Sequence, residues 1–193
     1  MSIAAMQAIR SAGLVLRAFE DSDAEGFAAA ARESAASVGP WMSWCQPAFS
    51  EQDALHWFQL CRAGLASGTA HEFGIFSLAT HEFLGGAGLN SINQQHLFCN
   101  LGYWVRQTAQ RRGVALHTVQ ALLPYAFSQL GMQRVEIVVA LGNMPSEGVA
   151  RKCGAQLEGV ARNRLQVGGV AVPASIFAVV PRSAPELELG LGR

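Results

Sequence analysis

The chain is nearly without lysine: thirteen of its fourteen basic residues are Arg, and Lys152 is the exception. Acidic residues also number fourteen, so the formal net charge is zero. With no block of like charge, there is no electrostatic footprint for direct nucleic-acid binding or for an anionic membrane surface. The four cysteines, Cys45, Cys61, Cys99 and Cys153, form no C-x-x-C pair, and the five histidines show no H-E-x-x-H spacing, so no metal site is expected. Isolated core thiols in a reducing compartment are the simpler reading. Met1 to Ala12 is mildly helical, with no apolar run that suits a signal peptide or a membrane span. The expectation is a cytoplasmic protein whose partners are small molecules or proteins, with a homodimer left open.

What is present is apolar: half of the 193 residues are hydrophobic, enough for a substantial core. No linker divides the chain, which reads as a single domain over 1–193 with its core at about 14–180 and an irregular tail over 181–193. Strands are expected at Leu14–Phe19, Phe73–Leu78, Phe83–Asn90, Leu97–Arg106, Arg134–Ala140, Gln156–Val167 and Val170–Val180. Helices are expected from Ala24 to Ser34, from Ser50 to about Ala66, over Arg112–Leu130 and over Asn143–Lys152. Thr80-His81-Glu82 joins an antiparallel hairpin, whereas the strand–helix–strand run from Leu97 to Ala140 implies a parallel right-handed crossover.

Within that crossover, Gln110-Arg111-Arg112-Gly113-Val114-Ala115 sits where a strand gives way to a helix. Such a junction aims unpaired backbone N–H groups and the positive end of the helix dipole at one point, and a Gly lets an anion approach the backbone closely. Phosphate or pyrophosphate is the ligand this suits. The same residues also suit a solvated helix cap.

Leu101-Gly102-Tyr103-Trp104-Val105, the Gln110–Ala115 loop, the Ala121–Phe127 and Leu130–Glu136 runs, Asn143-Met144-Pro145-Ser146 and Leu157-Glu158-Gly159 stand in order. Together they resemble the GNAT acetyltransferases, and within them the branch that acetylates N-terminal amines of ribosomal proteins. The resemblance implies an α/β (α+β) fold: a mixed, mostly antiparallel sheet with a central splayed parallel strand pair, flanked by helices. It also implies acetyl-CoA as co-substrate, with no metal. The pyrophosphate would lie on Arg111 to Ala115, and Trp104, Val105, Arg106, Gln110 and Asn143 would also touch the carrier. By the same resemblance Ser146 would protonate the departing thiolate, although Asn143-x-x-Ser146 is equally a helix cap.

Thioester acyl transfer also needs donors for the developing oxyanion and a neutral amine. Backbone N–H groups of the strand ending Tyr103-Trp104-Val105 are the candidate donors, which requires a break in the ladder between that strand and Arg134–Ala140. The relatives commonly carry Glu where this chain has Asn100, and a second acidic position appears here as Asn163-Arg164-Leu165. Glu136, Glu72, Glu82 and His96 remain as bases, and alternation pairs Glu136 with Arg134. An α-amine, with a reference pKa near 8, is partly neutral at pH 7 and could lose its proton to bulk water.

Acceptor contacts are expected from Trp41, Met42, Trp44 and Phe49 as an apolar lip, or as simple core, and from Asn90 and Asn93 as polar anchors. The expected activity is acetylation of an N-terminal α-amine of a protein or peptide, with a ribosomal protein as the expected partner. The alternatives are a polyamine or aminoglycoside acetyltransferase, disfavoured by only three Asp and no acidic cluster outside Glu186-x-Glu188, and a non-catalytic acetyl-CoA sensor.

Overall fold

Alternation along the strands sets which side chains face which helix layer. In Arg134–Ala140, Val135, Ile137 and Val139 are buried while Arg134, Glu136 and Val138 turn to the other face. The structure, a computed structural model, describes residues 6–181. In chain order its elements are β1 (Ile9–Ser11), β2 (Leu14–Arg17), α1 (Ala24–Val38), α2 (Glu51–Ser67), β3 (His71–Ser77), β4 (Phe83–Asn93), β5 (Phe98–Val105), α3 (Val114–Pro124), β6 (Arg134–Ala140), α4 (Met144–Lys152), β7 (Gln156–Val167) and β8 (Val170–Val179). The strands form one eight-stranded sheet in the order β1-β2-β3-β4-β5-β6-β8-β7. Neighbours are antiparallel except β5 and β6, which are parallel. The tail expected to be irregular lies, apart from Pro181, outside the described residues.

Two apolar clusters cover the two faces. Leu16, Phe73, Ile75, Leu89, Leu101, Val135 and Ile137 pack with Val119 and Leu122 of α3, whereas Phe19, Phe76, Phe83 and Trp104 pack with Phe27 of α1 and Phe58 of α2. The amide side of α2 is closed by a reciprocal cap in which Ser50 Oγ accepts from Asp53 N and Asp53 accepts from Ser50 N, and Gly68 ends the helix at φ +69°.

Most boundaries shift by a few residues, α1 running on to Val38 and β4 to Asn93, and three departures have a visible backbone cause. Residues Ile9–Ser11 form a strand rather than a helix, because Ala12 (φ +48°) and Gly13 (φ +78°) make a tight left-handed turn that folds them back on β2. The long helix starts at Val114, since Gly113 is left-handed at φ +80°. It also widens at Tyr125–Gln129, where Leu130 N donates to Tyr125 O, because Pro124 has no N–H to carry the regular ladder.

The exit of β5 is tied to α1. Arg106 pairs with Glu33 at 2.5 Å and Glu82 at 2.9 Å, while Thr108 N and Oγ1 both donate to Glu33 Oε1 at 2.8 Å. Burial would raise the Glu33 pKa, but the Arg106 and Thr108 hydrogen bonds outweigh it and hold the carboxyl at about 2. A folded-state pKa below the ordinary 4.5 adds stability above that value, lost as pH falls towards 2. Glu33→Gln should therefore cost about 1 kcal/mol at pH 7 after solvent screening. Urea midpoints of variant and wild type should converge as the pH approaches about 2, and a gap constant with pH would contradict this assignment of the network.

Candidate active site

β5 and β6 share only three rungs, Phe98 with Arg134, Cys99 with Val135 and Asn100 with Glu136. Beyond them β5 stays paired with β4 as far as Val105, and β6 with β8 as far as Ala140. The two strands have parted, leaving the β6-facing backbone groups of Leu101–Val105 without a ladder partner. This is the break that oxyanion donors on Tyr103-Trp104-Val105 require.

One link crosses the gap. The Tyr103 hydroxyl lies 3.0 Å from Ser146 Oγ and 3.1 Å from Ser146 O, a contact the sequence does not announce. Asn143 is the N-cap of α4, its Oδ1 accepting from Ser146 N at 3.3 Å, which leaves the Ser146 hydroxyl to Tyr103. Burial pushes the Tyr103 phenol up to about 12, against a smaller downward pull from Ser146, so it remains a donor near neutrality.

On the loop after β5, Arg111 (φ +62°) and Gly113 (φ +80°) are both left-handed, and α3 begins at once. Its first-turn N–H groups therefore point out of the helix end. Arg111 and Arg112 are exposed and Val114 is buried beneath them. Three side chains expected on the carrier have structural work instead. Gln110 Nε2 donates to Val105 O and Ser37 Oγ, Arg106 is engaged by Glu33 and Glu82, and the Trp104 indole packs among Phe27, Phe83 and Trp44. The Arg106 N–H donates to Leu84 O of β4 and the Trp104 backbone pairs in the same phase with Gly86, so among Trp104, Val105 and Arg106 it is the Val105 N–H that faces the gap.

On the α1–α2 face lies a cavity of about 360 Å³. Phe27, Trp44, Phe49, Trp57 and Trp104 line its walls, with Met42 and Leu60 beside them. Of the expected acceptor residues, Met42, Trp44, Phe49 and Asn90 are on it, while Trp41 and Asn93 are not. Trp41 follows α1 in a turn, its N–H on Val38 O, which carries it away from the lip that Trp44 forms.

The floor is glycine. Gly86 and Gly88 of β4 and Gly102 of β5 share a sheet face, and neighbouring side chains lie over two of them. A Cβ at Gly86 would come within 2.8 Å of the Trp104 indole nitrogen, and one at Gly88 within 1.8 Å of Glu72 Oε2. Half-buried Glu72 reaches from β3 across Gly88 into the cavity, where Asn90 Nδ2 donates to its Oε1 at 3.3 Å. Asn100 Nδ2 donates in turn to Asn90 Oδ1 at 3.0 Å, and Asn100 Oδ1 is buried without a protein partner. Burial raises the proton affinity of Glu72 despite the Asn90 hydrogen bond.

The other base candidates are occupied or elsewhere. Glu136 accepts from Arg134 Nε at 3.0 Å, the ion pair that alternation predicted, and Glu82 pairs with Arg106. His96 is exposed in a turn, and His71 bonds Tyr125 at 3.0 Å. Trp57, Leu60, Phe27 and the glycine floor were not foreseen. The signals were the apolar pair Trp57 and Leu60 on α2, beside the core stripe Ala54, Phe58 and Cys61, and the two-residue spacing of Gly86 and Gly88. No cluster of metal-ligating side chains occurs among the described residues.

Residues 13–156 match the model of the acetyltransferase (GNAT) domain. The chain belongs to the GNAT acetyltransferase family. The N-acetyltransferase YoaA of Bacillus subtilis is 30% identical over 108 residues, 56% of this chain and 61% of that protein, so the chain spans about six-tenths of that relative. YdaF of B. subtilis, provisionally named a ribosomal N-acetyltransferase, is 26% identical over 162 residues, 81% of this chain and 85% of YdaF. The structure of a Vibrio cholerae protein provisionally named a ribosomal-protein-serine acetyltransferase superposes with a TM-score of 0.82 at 30% identity, covering 91% of this chain and 98% of that one. Members of the family transfer acetyl groups from acetyl-CoA. Among its described residues no helix is long and apolar enough to cross a membrane.

The chain has two tyrosines, and burial raises both phenols, Tyr103 to about 12 and Tyr125 in the same direction. Tyrosinate absorbance of the folded protein should stay flat through the ordinary range near pH 10. In Tyr125→Phe a single step should remain at about 12. A step near 10 in that variant would show that Tyr103 is not closed against Ser146 and α4.

Proposed function

We propose that this GNAT enzyme transfers the acetyl group of acetyl-CoA to the N-terminal α-amine of a protein or peptide, a ribosomal protein being the candidate partner. The observation that carries the reading is the parted β5–β6 pair, with a left-handed Gly113 loop at its open end and an aromatic cavity at its side. The names of YdaF and the V. cholerae protein support the ribosomal substrate, and the cavity supports a chain-borne amine. Its lining contains only Glu72 and Asp53 as carboxylates, and Asp53 is engaged by Ser50 at the start of α2. A polyamine, with several ammonium groups, would find few counter-charges there.

Backbone N–H groups of Arg111–Ala115 and the positive end of α3 would hold the pyrophosphate, with Arg111 and Arg112 adding charge. Unpaired amides of Leu101–Val105 would hold the pantetheine arm and the carbonyl oxygen. Acetyl-CoA supplies an electrophilic thioester carbonyl and a thiolate leaving group. Ser146 would give that thiolate its proton, its O–H turning from Tyr103 towards the sulfur while the phenol keeps donating to Ser146 O.

Gly113→Val would crowd this loop. The substitution puts a Cβ 3.1 Å from the His117 ring and forces a β-branched residue to φ +80°, which costs roughly 1–2 kcal/mol of stability by itself. Read against the variant's own melting temperature, stabilisation by acetyl-CoA should be lost; an undiminished shift would remove the pyrophosphate from this loop. Ser146→Ala leaves Tyr103 its bond to Ser146 O, so folding should be little changed while kcat falls by about 10²-fold at unaltered acetyl-CoA affinity. Full turnover would reduce Ser146 to a helix residue. In a thiol-release assay, peptides with free α-amines should turn over and polyamines should not, and the reverse order would transfer the enzyme to small-molecule amines.

A further inference from the structure

The structure assigns to Glu72 the role of proton acceptor from the acceptor amine, taken over from the position that Asn100 occupies with an uncharged amide. This rests on the acetyl-transfer reading above and extends it to a residue outside the splayed strands. Glu72 is the one carboxylate of the cavity that is neither at its mouth nor committed to a cation or a helix cap. Its hydrogen bond in the described structure comes from the neutral amide of Asn90.

The surroundings of Glu72 contain no cation paired with it among the described residues. From α2, Asp53 is capped by Ser50, Arg62 pairs with Asp21, His56 lines the cavity, and Cys61 is held as a thiol by burial and by the charge of Glu72 itself. From β2, Arg17 is bound by Asp23. β4 presents Gly88 and Asn90, and β5 presents Asn100 and Gly102, while the Tyr103 phenol lies on the opposite face against Ser146. A half-buried carboxylate whose Oε2 accepts no hydrogen bond among the described residues, above a floor cleared of side chains, is placed to receive an ammonium.

Asn100 completes the cradle. It stands on the last rung before the strands part, and its Oδ1 is buried without a partner, an acceptor that an amine N–H or one water would satisfy. Its Nδ2 fixes Asn90, and Asn90 fixes Glu72, so the amide at 100 orients the carboxylate it replaces. Amides do not relay protons, and Glu72 takes its proton from the ammonium directly or through one water. The neutral nitrogen then forms the C–N bond as the C–S bond breaks. The second proton leaving nitrogen ends on the thiolate by way of Ser146, and Glu72 returns the first to solvent.

Burial raises the pKa of Glu72, which moves a carboxylate towards the range useful to a base near neutrality. The test is kcat against pH with saturating acetyl-CoA and whichever amine wild type acetylates, alongside acetyl-CoA thermal shifts. Wild-type kcat should rise on an acid limb and be level by about pH 7, below the α-amine pKa near 8. Glu72→Gln should lower kcat at pH 7 by about 10²-fold or more, move the limb up to that of the amine and leave the acetyl-CoA shift intact. Gly88→Ala, which drives the carboxylate aside without removing it, should share the loss. Glu72→Gln combined with Asn100→Glu should regain the acid limb. A Glu72→Gln enzyme with wild-type kcat and limb, or one that no longer binds acetyl-CoA, would overturn the assignment while the acetyl-transfer reading stands. A wild-type protein that binds acetyl-CoA and acetylates no amine would overturn both.

Discussion

The site depends on one constraint: β5 and β6 stop pairing after Asn100 and Glu136, while each keeps its outer neighbour. A sheet that loses an inner ladder exposes backbone donors and acceptors that must find other partners. Here the outer ladders hold the two arms rigid, so the unpaired groups stay in place instead of collapsing onto each other. The Tyr103–Ser146 contact spans the opening, and the Glu33–Arg106–Thr108 network anchors the chain as it leaves β5 for the Gly113 turn. Position, more than any single reactive side chain, is what this arrangement supplies, in keeping with acyl transfer driven by preorganised dipoles.

On the sheet face covered by α1 and α2, the constraint is volume. Gly86, Gly88 and Gly102 leave a floor on which the Trp104 indole and the Glu72 carboxylate lie, and any Cβ at the first two would collide with them. The aromatic walls lower the local polarity, and burial raises the proton affinity of Glu72. Strand geometry, cavity shape and protonation state thus follow from the same few packing choices.

Much of the architecture was legible in the sequence. The β-branched alternation of Arg134–Ala140, the Gly113 turn and the Asn143-Met144-Pro145-Ser146 start of α4 each carry their own local signal, and each element formed near its expected bounds. Trp44 and Asn90 were likewise found on the cavity. Trp41 could not be separated from Trp44 by sequence, because three residues of irregular turn decide which indole faces inward. The family resemblance puts Arg106 and Gln110 against the carrier. Their actual partners, Glu33 and Ser37, are more than seventy residues away in sequence, and nothing local announces them.

What the sequence by itself determined is the fold class and the break before α3, since periodicity, left-handed glycines and caps act over a few residues, and the family, through the resemblance of its motifs in order. Which carboxylate stands in the cavity was decided only by tertiary structure. Alternation along β6 already paired Glu136 with Arg134, but Glu72 and Glu82 are equivalent as letters. The exit of β5 gave Glu82 to Arg106, while the glycine opposite Glu72 left its side chain free to cross the sheet. Ion pairing and burial depend on neighbours remote along the chain, and these set the chemistry of a carboxyl group.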